Sequence, residues 1–532
     1  MTGCGPGYRR ALAVAFIGIC GLLAGAPPAA ATIEYHVSLS DPGRHLFGVT
    51  MAVPVEGREL TVAMPAWNAL YRIEDFAYRV RQVTALCAGL TAVPADVRKI
   101  DKQTWQISIA SRCQPGDHNR FEIQYQTEWD EPGPFQSQLN EHHAFMNLAE
   151  ILMYVPDRRA EDVSVAFENL PHGWRTAAEL PSDVADTYTA ASYDKLVDAP
   201  VEAGKFDQFD FDDDGAHFRV IVDPDSEWNR RTLENGLRRI TDYELQLMGG
   251  PPFDTPRHEY TFIFHVGPGD DSEGGGMEHA NSTAIAMGSV DAAIPIAAHE
   301  FFHAWNVKRI RPQSLEPVDY AKEQYTRALW FAEGVTSSYA SYVLVRTGLW
   351  TSDQFLADLA SQISELNGRS ARRWQSAEES SLDAWFEKYD GYNDPDRSIS
   401  YYNKGQILGV MLDLAIRDAT GNHKSLDDVF RLMNDEYAKR GKFYDDDNGI
   451  RAAVEQVAGK SFEDFFRRYV AGTDEIPYDE FLGIAGLKLN PPAGRSDGFG
   501  TRLGTLYGIR EVDHPTERQR RILDGLLHGT TD

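Results

Sequence analysis

Cysteine is scarce in this chain: four residues in 532, at positions 4, 20, 87 and 113. So few exclude a disulfide-dense scaffold and a cysteine-rich zinc motif. Positive charge is also short. With 52 Lys and Arg against 80 Asp and Glu, the formal net charge is −28. That excludes the basic footprint nucleic acid requires and describes a solubilising acidic surface. No stretch after residue 31 is long and apolar enough to span a bilayer, and neither internal repeats nor low-complexity tracts occur. At this length about three domains are expected.

What is present begins with a leader. Arg9 and Arg10 precede an apolar stretch from Ala11 to Ala26, and small residues follow up to Ala29-Ala30-Ala31. This is the order of a secretory signal peptide over residues 1–31, with cleavage expected after Ala31 and a periplasmic or secreted mature chain. Cys4 and Cys20 leave with it. Cys87 and Cys113 remain, close in sequence and a disulfide candidate in an oxidising compartment.

Residues 32–205 alternate in period two. Tyr35–Leu39, Leu60–Ala63, Trp105–Ile109 and Phe121–Tyr125 read as strands between Gly, Pro, Asp and Asn clusters, predicting an antiparallel β-domain of sandwich type. Its pair His142-His143 stands in a polar stretch and reads as solvated loop rather than a metal site. The acidic stretch Phe206–Asp214 reads as a linker into a second domain spanning 206–488. There a strand, His217–Val222, precedes a helix opening near Ser226, with Leu233, Leu237, Ile240 and Leu247 on one face and Gly249-Gly250 ending it. The strand Tyr260–Val266 enters a glycine-rich loop, Gly267–Ser282, and a helix follows with Pro295 expected near its first turn. Beyond it the text is helical: Arg327–Thr347 closed by Gly348, Ser352–Leu366, Gly405–Thr420, Ser425–Arg440 and Ile450–Gly472. The tail, 489–532, is Pro/Gly/Arg-rich with one helical piece, Glu517–Leu527. The fold class expected is multidomain α+β, a β-domain followed by a mainly helical one.

One stretch carries chemistry. His299, Glu300 and His303 form HExxH, and residues four apart share a helix face. Two imidazoles can grip one zinc ion while the glutamate reaches a water upon it. A catalytic zinc needs a third protein ligand and an open position. Glu333 is the best candidate, thirty residues beyond His303, because a carboxylate among Trp330, Phe331 and Val335 is costly unless paired or bound to metal.

The run AHEFFHAWNVKRIRP at Ala298–Pro312, with LWFAEG at Leu329–Gly334, resembles the bacterial glycyl aminopeptidase family of gluzincin zinc metallopeptidases. YYNKG at Tyr401–Gly405 and GGMEH at Gly275–His279 extend the likeness, and Pro65-Ala66-Trp67 and Leu170–Trp174 carry it weakly into the β-domain. The resemblance implies a thermolysin-like catalytic domain acting on peptides, with one zinc held by His299, His303 and Glu333 and with Glu300 as general base. It further implies that Tyr402, rather than its neighbour Tyr401, donates to the oxyanion. Gly275-Gly276-Met277-Glu278 would bind substrate, the Glu278 carboxylate pairing with a free α-amino group. Small residues such as Gly or Ala are the expected preference. Two departures stand out. Ser337 occupies a position where the family commonly carries an acid, and too few residues follow Leu489 for the family's usual PDZ-like domain. Two other readings stay open: a zinc endopeptidase, distinguished by cleavage of N-blocked peptides, and a non-catalytic peptide-binding protein, distinguished by lack of stoichiometric zinc.

Overall fold

Alternation along the chain builds the first layer. In Ile33–Asp41 the side chains of Ile33, Tyr35, Val37 and Leu39 are buried while the residues between them are not. This computed structural model describes residues 1, 32–68, 70–89, 92–109, 119–224, 227–267, 274–389, 391–490 and 507–531. The expected leader, apart from Met1, lies outside them.

Ile33–Asp41 belongs to a nine-stranded sheet ordered Thr187–Ala190, Val163–Glu168, Ile33–Asp41, Leu46–Pro54, Arg120–Glu128, Val80–Ala88, Val93–Lys99, Thr104–Ser108 and Glu59–Ala63. Its pairings are antiparallel except one: Ile33–Ser38 runs parallel to Val163–Glu168. A four-stranded sheet (Arg175–Ala177, Val201–Gly204, His143–Met146, Gln138–Leu139) shares a core with it through Leu139, Met146 and Val201. Cys87 is buried and disulfide-bonded; its expected partner, Cys113, lies outside the described residues.

The acidic stretch taken for a linker is a strand. Asp207–Asp213 pairs with Ala216–Pro224 across the tight turn at Asp214 and Gly215, both at positive φ. Phe209 and Phe211 point into the core and the acids point out, a period-two pattern that the density of charge disguised. The hairpin opens a five-stranded sheet that continues through Glu259–Val266, Ser282–Met287 and, at the edge, Gly275–Glu278. Ala216–Pro224 and Glu259–Val266 are parallel, so a crossover must join them. The helix Arg230–Met248 makes it. Asn229 caps its start by accepting from the Thr232 N–H, and Gly249, left-handed, ends it.

The remaining helices wrap the active cleft in one large core. Here the helix bounds depart from those read in the sequence. The Arg327–Thr347 run divides into a π-helical segment, Trp330–Val335, and an α-helix, Thr336–Arg346. The helix expected from Gly405 begins at Tyr401, capped by Ser400. The helix expected over Ile450–Gly472 stops at Gly459, whose left-handed conformation closes Gly449–Ala458. The strand Leu487–Asn490 pairs with Gly508–Glu511, and the helix Glu517–His528 buries Ile522 and Leu526 in the same core as the HExxH helix.

Candidate metal centre

The HExxH helix spans Val290–Phe302 and is capped by the Ser289 side chain, which accepts from the Ala292 N–H. Pro295 stands in its second turn, not its first. It deletes one helical hydrogen bond and lines the cleft. On the opposite face Ala293, Ala297, Ala298, Phe301 and Phe302 are buried, and Phe302 stacks on Tyr339 at 4.4 Å. That packing fixes the rotation of the helix and turns His299 and His303 toward the cleft.

Their Nε2 atoms lie 2.9 Å apart, and Glu333 Oε2 lies 3.5 Å from the first and 3.2 Å from the second. Bonds of about 2.0–2.1 Å to a tetrahedral ion span edges of about 3.3 Å. The Nδ1–H of His303 donates to the Asn306 carbonyl at 2.5 Å. His299 Nδ1 meets Ser337 Oγ at 3.3 Å, and that hydroxyl donates onward to the Glu333 carbonyl. With the Nδ1 atoms engaged, the two Nε2 atoms and a Glu333 oxygen converge on one point, and two imidazole nitrogens with one carboxylate oxygen at these separations fit a zinc ion. Burial alone would raise the Glu333 carboxyl, but His303 and His299 draw it well below the usual carboxylate range.

Backbone contact places Glu333. The π-helical turn carrying it crosses the helix Tyr401–Thr420 at two glycines. A Cβ on Gly334 would stand 2.5 Å from the Gly405 Cα, and one on Gly405 would stand 2.8 Å from the Gly334 Cα. The final glycines of LWFAEG and YYNKG are thus a single crossing point. The buried Asn306 amide adds a second tie, donating to the Phe331 carbonyl at 2.9 Å and to Thr336 Oγ1 at 3.0 Å. Asn306 therefore serves His303 through its carbonyl and the Glu333 turn through its side chain. Sequence reading passed over it, although it lies within the motif stretch.

The crossing brings the tyrosines forward. Tyr402, in the first turn, holds its ring 6.2 Å from that of His299 and is 40% exposed, whereas Tyr401 is buried beneath it. Although the ring is part-exposed, desolvation at its phenol end, then the Glu333 carboxylate, push the Tyr402 hydroxyl well above its ordinary pKa, so it keeps its proton.

Glu300, beside His299 on the helix, is nearly buried, with Oε2 unpaired. Burial, with Glu278 and Glu333 adding to it, drives its carboxyl well above the ordinary range despite His303. Acceptor atoms of Glu278, Glu300 and His303 all lie within 4.8 Å of one another. Glu278 ends the edge strand, which pairs with Ser282–Met287 on one side only among the described residues. The glycines before it are sterically required. A Cβ on Gly276 would meet Glu300 Cδ at 2.5 Å, and one on Gly275 would meet Phe135 Cζ at 2.8 Å. Met277 is buried against a small cavity behind Glu278. The cleft itself holds about 560 Å³, and Tyr71, Arg72 and Phe135 of the β-domain form part of its wall. Nothing in the β-domain sequence marked those three as cleft residues, beyond the nearness of Tyr71 and Arg72 to Pro65-Ala66-Trp67.

A buried HExxH helix, a glutamate delivered by the following helix and a cleft under a β-domain define a peptidase. The M61 glycyl aminopeptidase family model matches residues 292–408, and that of the family's N-terminal domain matches residues 34–205. The chain belongs to this family. An aminopeptidase N family protein from Idiomarina loihiensis superposes with a TM-score of 0.80 at 24% identity, covering 86% of this chain and 79% of that one. A zinc metallopeptidase variant from Deinococcus radiodurans with bound Tyr-Ser-Ala gives a TM-score of 0.49 at 14% identity, over 84% and 94%. No curated protein matches the sequence.

Proposed function

We propose that this chain is an exported zinc aminopeptidase that hydrolyses the N-terminal bond of peptides, favouring small first residues such as Gly or Ala. The observation that carries the exopeptidase reading is the position of Glu278. Its carboxylate lies within 4.8 Å of ligand atoms of Glu300 and His303. A cationic amino terminus paired there leaves room for one residue before the scissile carbonyl.

His299, His303 and Glu333 would hold the zinc, which would supply a Lewis acid for the carbonyl and a bound water with its pKa lowered to about 7. Glu300, buried beside His299 at the converging donors, takes a proton from the attacking water and returns it to the leaving amine. Tyr402 donates its phenolic hydrogen to the oxyanion. The free edge of Gly275–Glu278 aligns the peptide backbone as an added strand, its glycines allowing close approach. Ser337 orients His299 as a neutral acceptor, giving direction without the added basicity a carboxylate would confer. The leader and the absence of any membrane-crossing helix among the described residues support export of a chain without a membrane span.

The test is Glu278→Ala assayed on alanyl-arylamide and on N-acetylated peptides. Loss confined to substrates with a free amino terminus supports the anchor. Equal loss on both, or efficient cleavage of blocked peptides by the unsubstituted protein, would instead establish an endopeptidase.

A further inference from the structure

A second converging set of side chains lies outside the cleft, where the four-stranded sheet of the β-domain meets the five-stranded sheet. Each sheet contributes two groups. His143 and Glu202 are diagonal neighbours on paired strands, and Asp223 and His265 face each other across the parallel pair. Glu202 is fully buried and His143 nearly so, contrary to the solvated loop its sequence suggested. Glu202 Oε1 lies 3.1 Å from His143 Nδ1, and Glu202 Oε2 lies 2.9 Å from His265 Nε2. Asp223 Oδ2 lies 3.2 Å from the same His143 Nδ1. On the far side of that ring, Nε2 stands 3.1 Å from the carbonyl oxygen of the Gln138 side chain.

We propose that His143, Glu202, His265 and Asp223 form a second, structural metal site for a divalent transition ion, zinc by its ligand chemistry, that staples the two domains together. Three arguments carry it. The separations, 2.9 to 3.2 Å, fall within the 2.9 to 3.5 Å found among His299, His303 and Glu333 in the same molecule. The Gln138 amide donates its Nε2–H to Asp130 and turns its oxygen to His143, so it accepts the Nε2 proton of that ring. A neutral ring then turns a bare Nδ1 toward two carboxylate oxygens, which is repulsive without a cation. His143, Glu202 and His265 offer ligand atoms all within 4.8 Å of one another, and Asp223 stands beside His143 as a fourth oxygen donor; two carboxylates and two neutral imidazoles would balance a dication, a protein-only donor set of the kind structural sites use. Around it Phe145 packs edge-on against His265 at 4.9 Å, and Phe145, Phe206, Ile221 and Ile263 form a small apolar core between the sheets. The rival arrangement is a doubly protonated His143 in an ion-pair network with no metal.

The two arrangements separate by metal counting. The full chain carrying His299→Ala and His303→Ala, which lacks the cleft ligands, is stripped with chelator and dialysed against zinc. One zinc per chain by elemental analysis, a melting midpoint that rises with added zinc and a nitrogen/oxygen shell at about 2.0–2.1 Å in X-ray absorption are expected. Adding Glu202→Gln and His265→Ala to that background should abolish all three. Retention of zinc after these additions would place the ion elsewhere and overturn the assignment. So would absence of stoichiometric zinc from the first variant, whose second cluster is intact; that result would leave the ion-pair network, and it stands even if the fourfold variant fails to fold.

Discussion

Gly276→Ala isolates the positioning of the general base from its chemistry. The added methyl would stand 2.5 Å from Glu300 Cδ, about 1 Å inside ordinary carbon–carbon contact. The helix beneath Glu300 cannot give way, because Ala297, Ala298 and Phe301 are fully buried against the sheet. Nor can the strand retreat without parting from Ile285, its partner in register. The Glu300 carboxylate must therefore move by about 1 Å, a misplacement that costs up to about 100-fold in rate, or about 2.7 kcal/mol in the barrier. Zinc ligands are untouched, so metal content and melting midpoint should stay near those of the parent protein. Steady-state kinetics with an alanyl-arylamide should show the loss in kcat, with KM changed little. Gly275→Ala is the comparison: its methyl meets Phe135 rather than Glu300, so its effect should fall mainly on KM. A Gly276→Ala enzyme within twofold of the parent in kcat would refute the claim that this glycine exists to seat Glu300.

Other outcomes follow from the same geometry. Glu300→Gln should lower turnover by about 10²–10⁴-fold while zinc remains bound, measured by kinetics beside elemental analysis. Ser337→Ala removes the acceptor for His299 Nδ1 and should weaken zinc binding about 10–100-fold in chelator competition. Tyr402→Phe should cost about 10²–10³-fold in kcat, whereas Tyr401→Phe, altering a buried ring, should chiefly lower the melting midpoint. Glu150 is fully buried and its carboxyl is pushed up to about 8 by burial, against its bonds from Ser137. Its folded pKa exceeds the unfolded one, so its contribution is complete below about pH 4.5 and is lost as pH rises through 8. The melting midpoint should therefore fall between pH 5 and 8, and Glu150→Gln should flatten that slope; an unchanged slope would remove Glu150 as the cause.

The convergence of His299 and His303 was legible in the sequence because it rests on a short spacing. Residues four apart on a helix share a face whatever surrounds them, so His299 and His303 read as a pair before any fold was known. Period-two alternation similarly marked strands at Tyr35–Leu39, Leu60–Ala63, Trp105–Ile109 and Phe121–Tyr125, while at Asp207–Asp213 the density of acid hid the same alternation and the strand was taken for a linker. Glu333 was legible for a different reason, since an acid inside an apolar helical run needs an explanation.

Contacts between segments distant in the chain were not legible. Local pattern could not reveal that Gly334 and Gly405 touch, that Asn306 ties two ligands together, or that Phe135 stands against Gly275. Nor could it show that His143, in a polar stretch, meets Glu202 and His265 across two sheets. The sequence by itself determined the helix, the strands and the donor atoms, because those follow from local periodicity and side-chain chemistry. Only the tertiary structure decided which donors meet, because that depends on how closely two backbones can approach. At the cleft, two glycines without side chains set that approach.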